Sequence, residues 1–162
     1  IYVANIADGM ARVDPQNAAT YRANAKAYSE RLSTLHEHAV SEIGKLPAEE
    51  RVVVTAHDAF GYLADAYGLT FLAPVGIDTE AEPSANELAE LIDYLKEIGA
   101  GALFVENITS PSLVEQIERE TGIEISGRIY SDALSERGGP ATSYETMFEH
   151  NLASIIRALS SP

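Results

Sequence analysis

The sequence contains no cysteine, and only three of its 162 residues are lysine. The absence of cysteine excludes disulfide bonds, thiolate catalysis and cysteine-rich zinc sites. The 25 acidic residues against 11 basic ones give a formal net charge of −14. Because nucleic-acid binding needs lysine and arginine to neutralise phosphates, we expect no nucleic-acid partner.

Long apolar runs are also missing. No stretch of about 18 uninterrupted apolar residues occurs, so we expect no segment that inserts into a membrane. Neither a signal peptide nor an initiating methionine opens the sequence, and Ile1 lies in a pattern that is already helical. We therefore expect a fragment whose targeting segment and upstream residues are missing. The length and the 46% apolar content fit one globular domain.

Common catalytic and phosphate-binding motifs are absent as well. No G-x-S-x-G nucleophile motif is present, and neither G-x-x-x-x-G-K-[ST] nor G-x-G-x-x-G follows any predicted strand. The sequence therefore gives little support to nucleophilic catalysis or to nucleotide binding.

What is present first is a long helical pattern. The pair Asp14-Pro15 is a strong helix start, because it combines a carboxylate N-cap with proline at the first helical position. Apolar residues then recur at spacings of three or four up to Leu46. The pattern predicts a helix of about 30 residues, roughly 45 Å long.

Beyond this helix, strands alternate with helices. Predicted strands cover residues 51–56, 69–75, 102–105 and 123–129. The first helix is predicted over residues 59–67, and the second runs from a capping box at Ser84 to about Ile98, with Gly99 as its stop. The third begins at Ser110 and ends at Gly122. The fourth begins at a capping box at residues 142–145 and ends at about Leu159. This alternation predicts an α/β fold with about four parallel strands in a Rossmann-like lobe. A longer loop at residues 76–83 carries Asp78, Glu80 and Glu82 and is a candidate functional loop.

Three polar side chains stand where predicted strands end. His57 follows an apolar run, Glu106 ends the third strand, and Asp132 follows the fourth. The carboxyl ends of parallel strands form the edge where such folds bind ligands. Imidazole and carboxylate together suit zinc or manganese, but a His–Asp pair also suits a catalytic base and its orienting partner. We expect a supporting role for Glu106.

The other histidines are weaker candidates for a metal site. His36 and His38 are two residues apart on the long helix, so they point away from each other and cannot bind one ion together. His150 lies in the last predicted helix, where a packing or surface role is the simplest interpretation.

Several segments, in order along the chain, resemble the C-terminal part of the zinc- and manganese-binding receptors of bacterial ABC transporters. The resemblance rests on residues 14–24 (DPxNAxxYxxN), 55–62 (TAHDAFGY), 104–106 (FVE), 130–134 (YSDAL) and 143–151 (SYxxMxxxN). It implies an extracytoplasmic receptor, lipid-anchored in its full-length form, that delivers a metal ion to a membrane permease. Some relatives in this group are named as adhesins.

The resemblance also implies a metal bound between two lobes by four side chains. Two of the four positions fall on His57 and Asp132, and the two histidines of the N-terminal lobe have no counterpart here. Residues 1–13 would end a helix of that lobe, residues 14–47 would form the linker helix, and residues 48–162 would form the metal-binding lobe. With two ligands, we expect weak binding of Zn²⁺ or Mn²⁺.

Two alternatives remain open from the residues alone. One is a metal-assisted hydrolytic enzyme that uses His57 as base and Asp132 as its orienting partner, although no nucleophile is apparent. The other is an adhesin or interaction module built on the long helix.

Overall fold

The computed structural model describes residues 1–77, 83–98 and 101–160. The chain divides into two compact units, Ile1–His38 and Ala39–Pro162. No helix within the described residues is both long enough and apolar enough to cross a membrane. The assignment of residues 1–13, 14–47 and 48–162 to a lobe, a linker and a second lobe stays a prediction.

The first unit is helical. Helix α1 covers Tyr2–Val13, and a single 3₁₀ turn covers Pro15–Asn17. Helix α2 covers Ala18–Ile43, and its last five residues belong to the second unit. The expected helix of about 30 residues is therefore 26 residues long and starts after the turn. The Asp14 side chain makes no capping hydrogen bond to this turn and accepts hydrogen bonds from Asn17 Nδ2 at 2.7 Å and Tyr21 Oη at 2.8 Å. These bonds favour the charged form and lower the pKa of Asp14.

The second unit contains four parallel strands, β1 Val52–Val54, β2 Thr70–Leu72, β3 Ala102–Glu106 and β4 Ile125–Ile129. Their order across the sheet is β2-β1-β3-β4. The helices of this unit are α3 Gly61–Tyr67, α4 Ala85–Ile98, α5 Ser112–Thr121 and α6 Tyr144–Leu159. The predicted α/β class and the four parallel strands are confirmed.

Helices cover both faces of this sheet, so successive strand residues contribute to two separate cores. Val53 and Phe104 pack on one face with the end of α2, with α3 and with α6. Val54 and Leu103 pack on the other face with α4 and α5. Burial on both faces explains why the strands read as continuous apolar runs instead of alternating polar and apolar residues.

Most predicted helix ends agree with the structure. Gly68 and Gly122 end α3 and α5 in the left-handed conformation, which glycine adopts without a steric penalty. Ser84 and Glu87 form the expected capping box, and the hydrogen bond from Ser84 lowers the pKa of Glu87.

The N-terminus of α6 differs from the prediction by one residue. Its N-cap is Ser143, whose side chain accepts from the Thr146 N–H, and Thr146 completes the capping box in place of Glu145. Two expectations cannot be compared with the structure, because Gly99 and the acidic residues Asp78, Glu80 and Glu82 lie outside the described residues.

Hydrogen bonds of Arg51 connect the segment after α2 to the start of the sheet. The Arg51 guanidinium donates from Nε and Nη2 to the Leu46 carbonyl at 3.1 and 2.7 Å. The Arg51 carbonyl in turn accepts from the Thr70 N–H at 2.8 Å. Arg51 therefore donates hydrogen bonds to a carbonyl just after the end of α2 and accepts one from the first residue of β2.

Replacing Phe104 by alanine tests the core that supports the β3 end. Its side chain is fully buried, so Phe104→Ala should lower the free energy of unfolding in urea by about 3–5 kcal/mol. Tyr62→Ala is the matched control, because Tyr62 is 96% exposed and its loss should change stability by less than about 0.5 kcal/mol. Equal effects of the two substitutions would contradict this packing.

Candidate metal centre

The candidate site lies where the strand order of the sheet reverses. From β1 the chain goes to β2 on one side, and β3 then pairs with β1 on the other side. At such a switch point the connections leave in opposite directions and open a crevice at the carboxyl ends of the strands. His57 follows β1 and Glu106 ends β3, so the two residues meet at this crevice.

Glu106 forms the centre of the local hydrogen bonding. Its Oε1 accepts from the backbone N–H of Ala56 at 3.0 Å, from that of His57 at 3.1 Å, and from His57 Nδ1 at 2.9 Å. Oε2 is also 2.9 Å from Nδ1 but has no hydrogen-bond partner within the described part of the chain. The carboxylate therefore fixes both the turn after β1 and the imidazole ring.

These contacts determine which ring nitrogen of His57 carries the proton. A carboxylate only accepts hydrogen bonds, so Nδ1 must be the donor in the neutral ring. The lone pair then resides on Nε2, which faces away from Glu106. A histidine that donates one N–H to a carboxylate and keeps the lone pair of the other nitrogen is typical of metal ligands, because the carboxylate orients the ring.

Asp132 is the second candidate ligand. Its Oδ2 is 3.4 Å from His57 Nε2. Two ligands about 2.1 Å from a tetrahedral zinc ion are about 3.4 Å apart, so the separation of these atoms matches that of two ligands of one zinc ion. The His57 side chain is 3% exposed, whereas that of Asp132 is 68% exposed. The pair therefore combines a buried, fixed nitrogen with an oxygen that solvent can reach.

The surface around this pair is open and acidic. A depression there is lined by His57, Asp58, Tyr62, Asp65, Ile77 and Asp132. Its three aspartates attract cations, in line with the net negative charge of the chain. Its apolar rim residues, Tyr62 and Ile77, are almost fully exposed.

The ligand set is incomplete in the part of the chain that the structure describes. Those residues include no group of three or more histidine, cysteine, aspartate or glutamate side chains that could hold a metal ion. His36 and His38 are exposed on α2. His150 Nε2 is 3.0 Å from the Arg128 carbonyl, and its ring packs edge-on against Tyr130. The structure thus brings together His57, Glu106 and Asp132 and places the other histidines elsewhere.

Two asparagines near the site were not identified as contributors by sequence reasoning. Asn151 of α6 accepts from the Tyr130 N–H at 2.9 Å and donates to the Tyr130 carbonyl at 2.7 Å. Asn107 Nδ2 donates to the Ala133 carbonyl at 3.1 Å. Asn151 stands in one of the segments on which the family resemblance rests, but its partner could not be identified without the fold. Asn107 gave no signal beyond its position next to Glu106.

Comparison with known proteins gives a family match over almost the whole chain. The family model described as zinc-uptake complex component A, periplasmic (ZnuA) matches residues 1–158. The manganese-binding lipoprotein MntA of Bacillus subtilis is 37% identical over 150 residues, covering 90% of this chain and 49% of the relative. The iron ABC transporter substrate-binding lipoprotein MtsA of Streptococcus pyogenes is 34% identical over 160 residues, covering 99% of this chain and 52% of the relative.

Solved structures agree with the fold. The periplasmic zinc-binding protein TroA of Treponema pallidum superimposes with a TM-score of 0.92 at 30% identity, over 97% of this chain and 58% of that chain. The Mn-bound periplasmic metal-binding protein of Candidatus Liberibacter asiaticus gives 0.88 at 28% identity, over 98% of this chain and 58% of that chain. The chain spans about half the length of the curated relatives it matches.

The proton position on His57 can be measured directly. Long-range ¹H–¹⁵N NMR of the neutral ring should show Nδ1 protonated and Nε2 unprotonated. Glu106→Gln should raise the population of the opposite tautomer, because the Gln oxygen can keep the two backbone donors while its amide group donates to Nδ1. A parent protein with Nε2 protonated in the neutral ring would contradict the assignment.

Proposed function

Because the chain belongs to the family of zinc-uptake complex component A, we propose that it is part of an extracytoplasmic receptor that captures a divalent metal ion. Members of this family are substrate-binding receptors of ABC transporters and are not enzymes. The receptor hypothesis agrees with this family, whereas the hydrolase and interaction-module alternatives do not.

The observation that carries the proposal is the geometry of His57 and Asp132. The Glu106 carboxylate leaves His57 Nε2 with a free lone pair, and Asp132 Oδ2 lies 3.4 Å from it. In this proposal His57 and Asp132 bind the ion, and Glu106 orients His57 without touching the metal. The proximity of a nitrogen donor and an oxygen donor at one edge of the sheet supports this assignment.

The substrate that fits this donor set is Zn²⁺ or Mn²⁺. An imidazole with a carboxylate suits both ions, so ligand type alone does not choose between them. The names of the relatives likewise include zinc, manganese and iron. Structural zinc sites use four protein ligands, so a chain supplying two binds weakly, with water in the other positions. We propose that two histidines from the N-terminal half of the receptor complete the site.

The partner in this proposal is the permease of an ABC transporter. Family members bind metal ions and work with such permeases. The relatives MntA and MtsA are named lipoproteins, and we propose the same extracytoplasmic, lipid-anchored setting for the receptor that contains this chain. Capture between two lobes and delivery to the permease belong to that whole receptor.

Isothermal titration with Zn²⁺ and Mn²⁺ tests this function. The chain should bind each ion weakly at one site, and His57→Ala should abolish that binding because it removes the buried nitrogen ligand. His38→Ala is the matched control, since it removes an exposed histidine on α2 and should leave both affinities unchanged. Tight binding that survives His57→Ala would refute the site assignment.

A further inference from the structure

The turn that carries Asp132 is held by side chains rather than by the sheet. Strand β4 ends at Ile129. Outside the hydrogen bonds of the sheet, residues 131–134 make no backbone–backbone hydrogen bond within the described part of the chain. The Asp132 side chain itself is largely exposed. The position of its carboxylate therefore depends on how the residues beside it are attached.

Two asparagines attach this turn on its two sides. Asn151 pairs with both the N–H and the carbonyl of Tyr130, two residues before Asp132. Asn107 holds the carbonyl of Ala133, directly after Asp132. Asn151 is buried against the core, so its bonds also stabilise the packing of α6. Asn107 is less buried, and its hydrogen bond reaches only the turn.

Asn107 also follows Glu106 directly in the chain. Glu106 is the last residue of β3 and bonds to His57, whereas Asn107, the first residue after the strand, bonds to the turn after β4. The end of β3 thus bonds to His57 and to the residue that follows Asp132. In this arrangement His57 Nε2 and Asp132 Oδ2 lie 3.4 Å apart.

We infer that Asn107 is a positioning residue that sets the distance of Asp132 from His57 and thereby favours zinc over manganese. A tetrahedral ion with bonds of about 2.1 Å needs ligands about 3.4 Å apart. An octahedral ion with bonds of the same length places adjacent ligands about 3.0 Å apart, and manganese commonly adopts that geometry. A turn that holds the two atoms at the longer separation favours zinc. Releasing the turn should therefore weaken zinc binding more than manganese binding. The inference rests on the proposed metal-binding function.

Asn107 can be replaced by a residue that removes its hydrogen bond to the turn with little effect on stability. Its Oδ1 is buried and has no hydrogen-bond partner among the described residues, so leucine of similar shape removes an unsatisfied acceptor together with the donor. The Ala133 carbonyl that loses its partner belongs to an exposed residue and can bond to water. Asn107→Leu should therefore release the turn with little change in the free energy of unfolding.

The experiment measures site-specific affinities at the His57 ring. Zn²⁺ is titrated while the ¹⁵N shift of Nε2 is followed, and Mn²⁺ affinity is obtained by competition. Asn107→Leu and Asn107→Ser are compared with the parent chain, with urea unfolding of each variant as a check on folding. Asn86→Leu is the matched control, because it removes an exposed amide donor to Glu90 on α4.

Both Asn107 variants should weaken zinc binding by about tenfold and weaken manganese binding by a smaller factor. A purely structural role would lower both affinities equally, so a zinc loss no larger than the manganese loss, including no loss, overturns the inference. His57→Ala separates this result from the proposed function. If His57→Ala abolishes binding while the Asn107 variants bind like the parent, the function stands and only the role of Asn107 is wrong.

Discussion

The buried carboxylate of Glu106 is the constraint on which the rest of the site depends. The Glu106 side chain is fully buried, and a carboxylate is expensive to bury unless donors surround it. Here three N–H groups meet one oxygen, two from the backbone of the turn after β1 and one from the His57 ring. The same contacts that satisfy the charge also fix the turn and select the ring tautomer. The same contacts therefore stabilise the strand ends and orient the candidate ligand nitrogen, Nε2 of His57.

The topology of the sheet makes this contact possible. Glu106 and His57 are 49 residues apart in sequence, and only the pairing of β3 beside β1 brings them together. The pairing of β4 beside β3 then adds Asp132 at the same edge. Both sheet faces are buried under helices, so the carboxyl edge is the place where polar side chains can meet an incoming ion.

The sequence allowed much of this arrangement to be predicted, because apolar runs and glycine stops are local signals. Val52–Val54 followed by His57 indicated a strand end, and Gly68 and Gly122 marked helix ends. The start of α2 was predicted too early, because residues Pro15–Asn17 form a 3₁₀ turn before the α-helix begins at Ala18. Side-chain contacts between distant elements have no local signal. The hydrogen bonds of Asn107 and Asn151 to the Asp132 turn could therefore be identified only once the strands were in place.

The metal role of His57 and Asp132 is the central claim, and crystallography of the zinc-soaked protein tests it most directly. Anomalous diffraction on the two sides of the zinc absorption edge locates the ion without reference to any assumed ligand. The account predicts a zinc peak between the two side chains, about 2.0–2.1 Å from His57 Nε2 and about 2.0–2.2 Å from an Asp132 oxygen, with Nδ1 still bonded to Glu106. A zinc ion bound elsewhere, with His57 and Asp132 free of metal at saturating zinc, would contradict it.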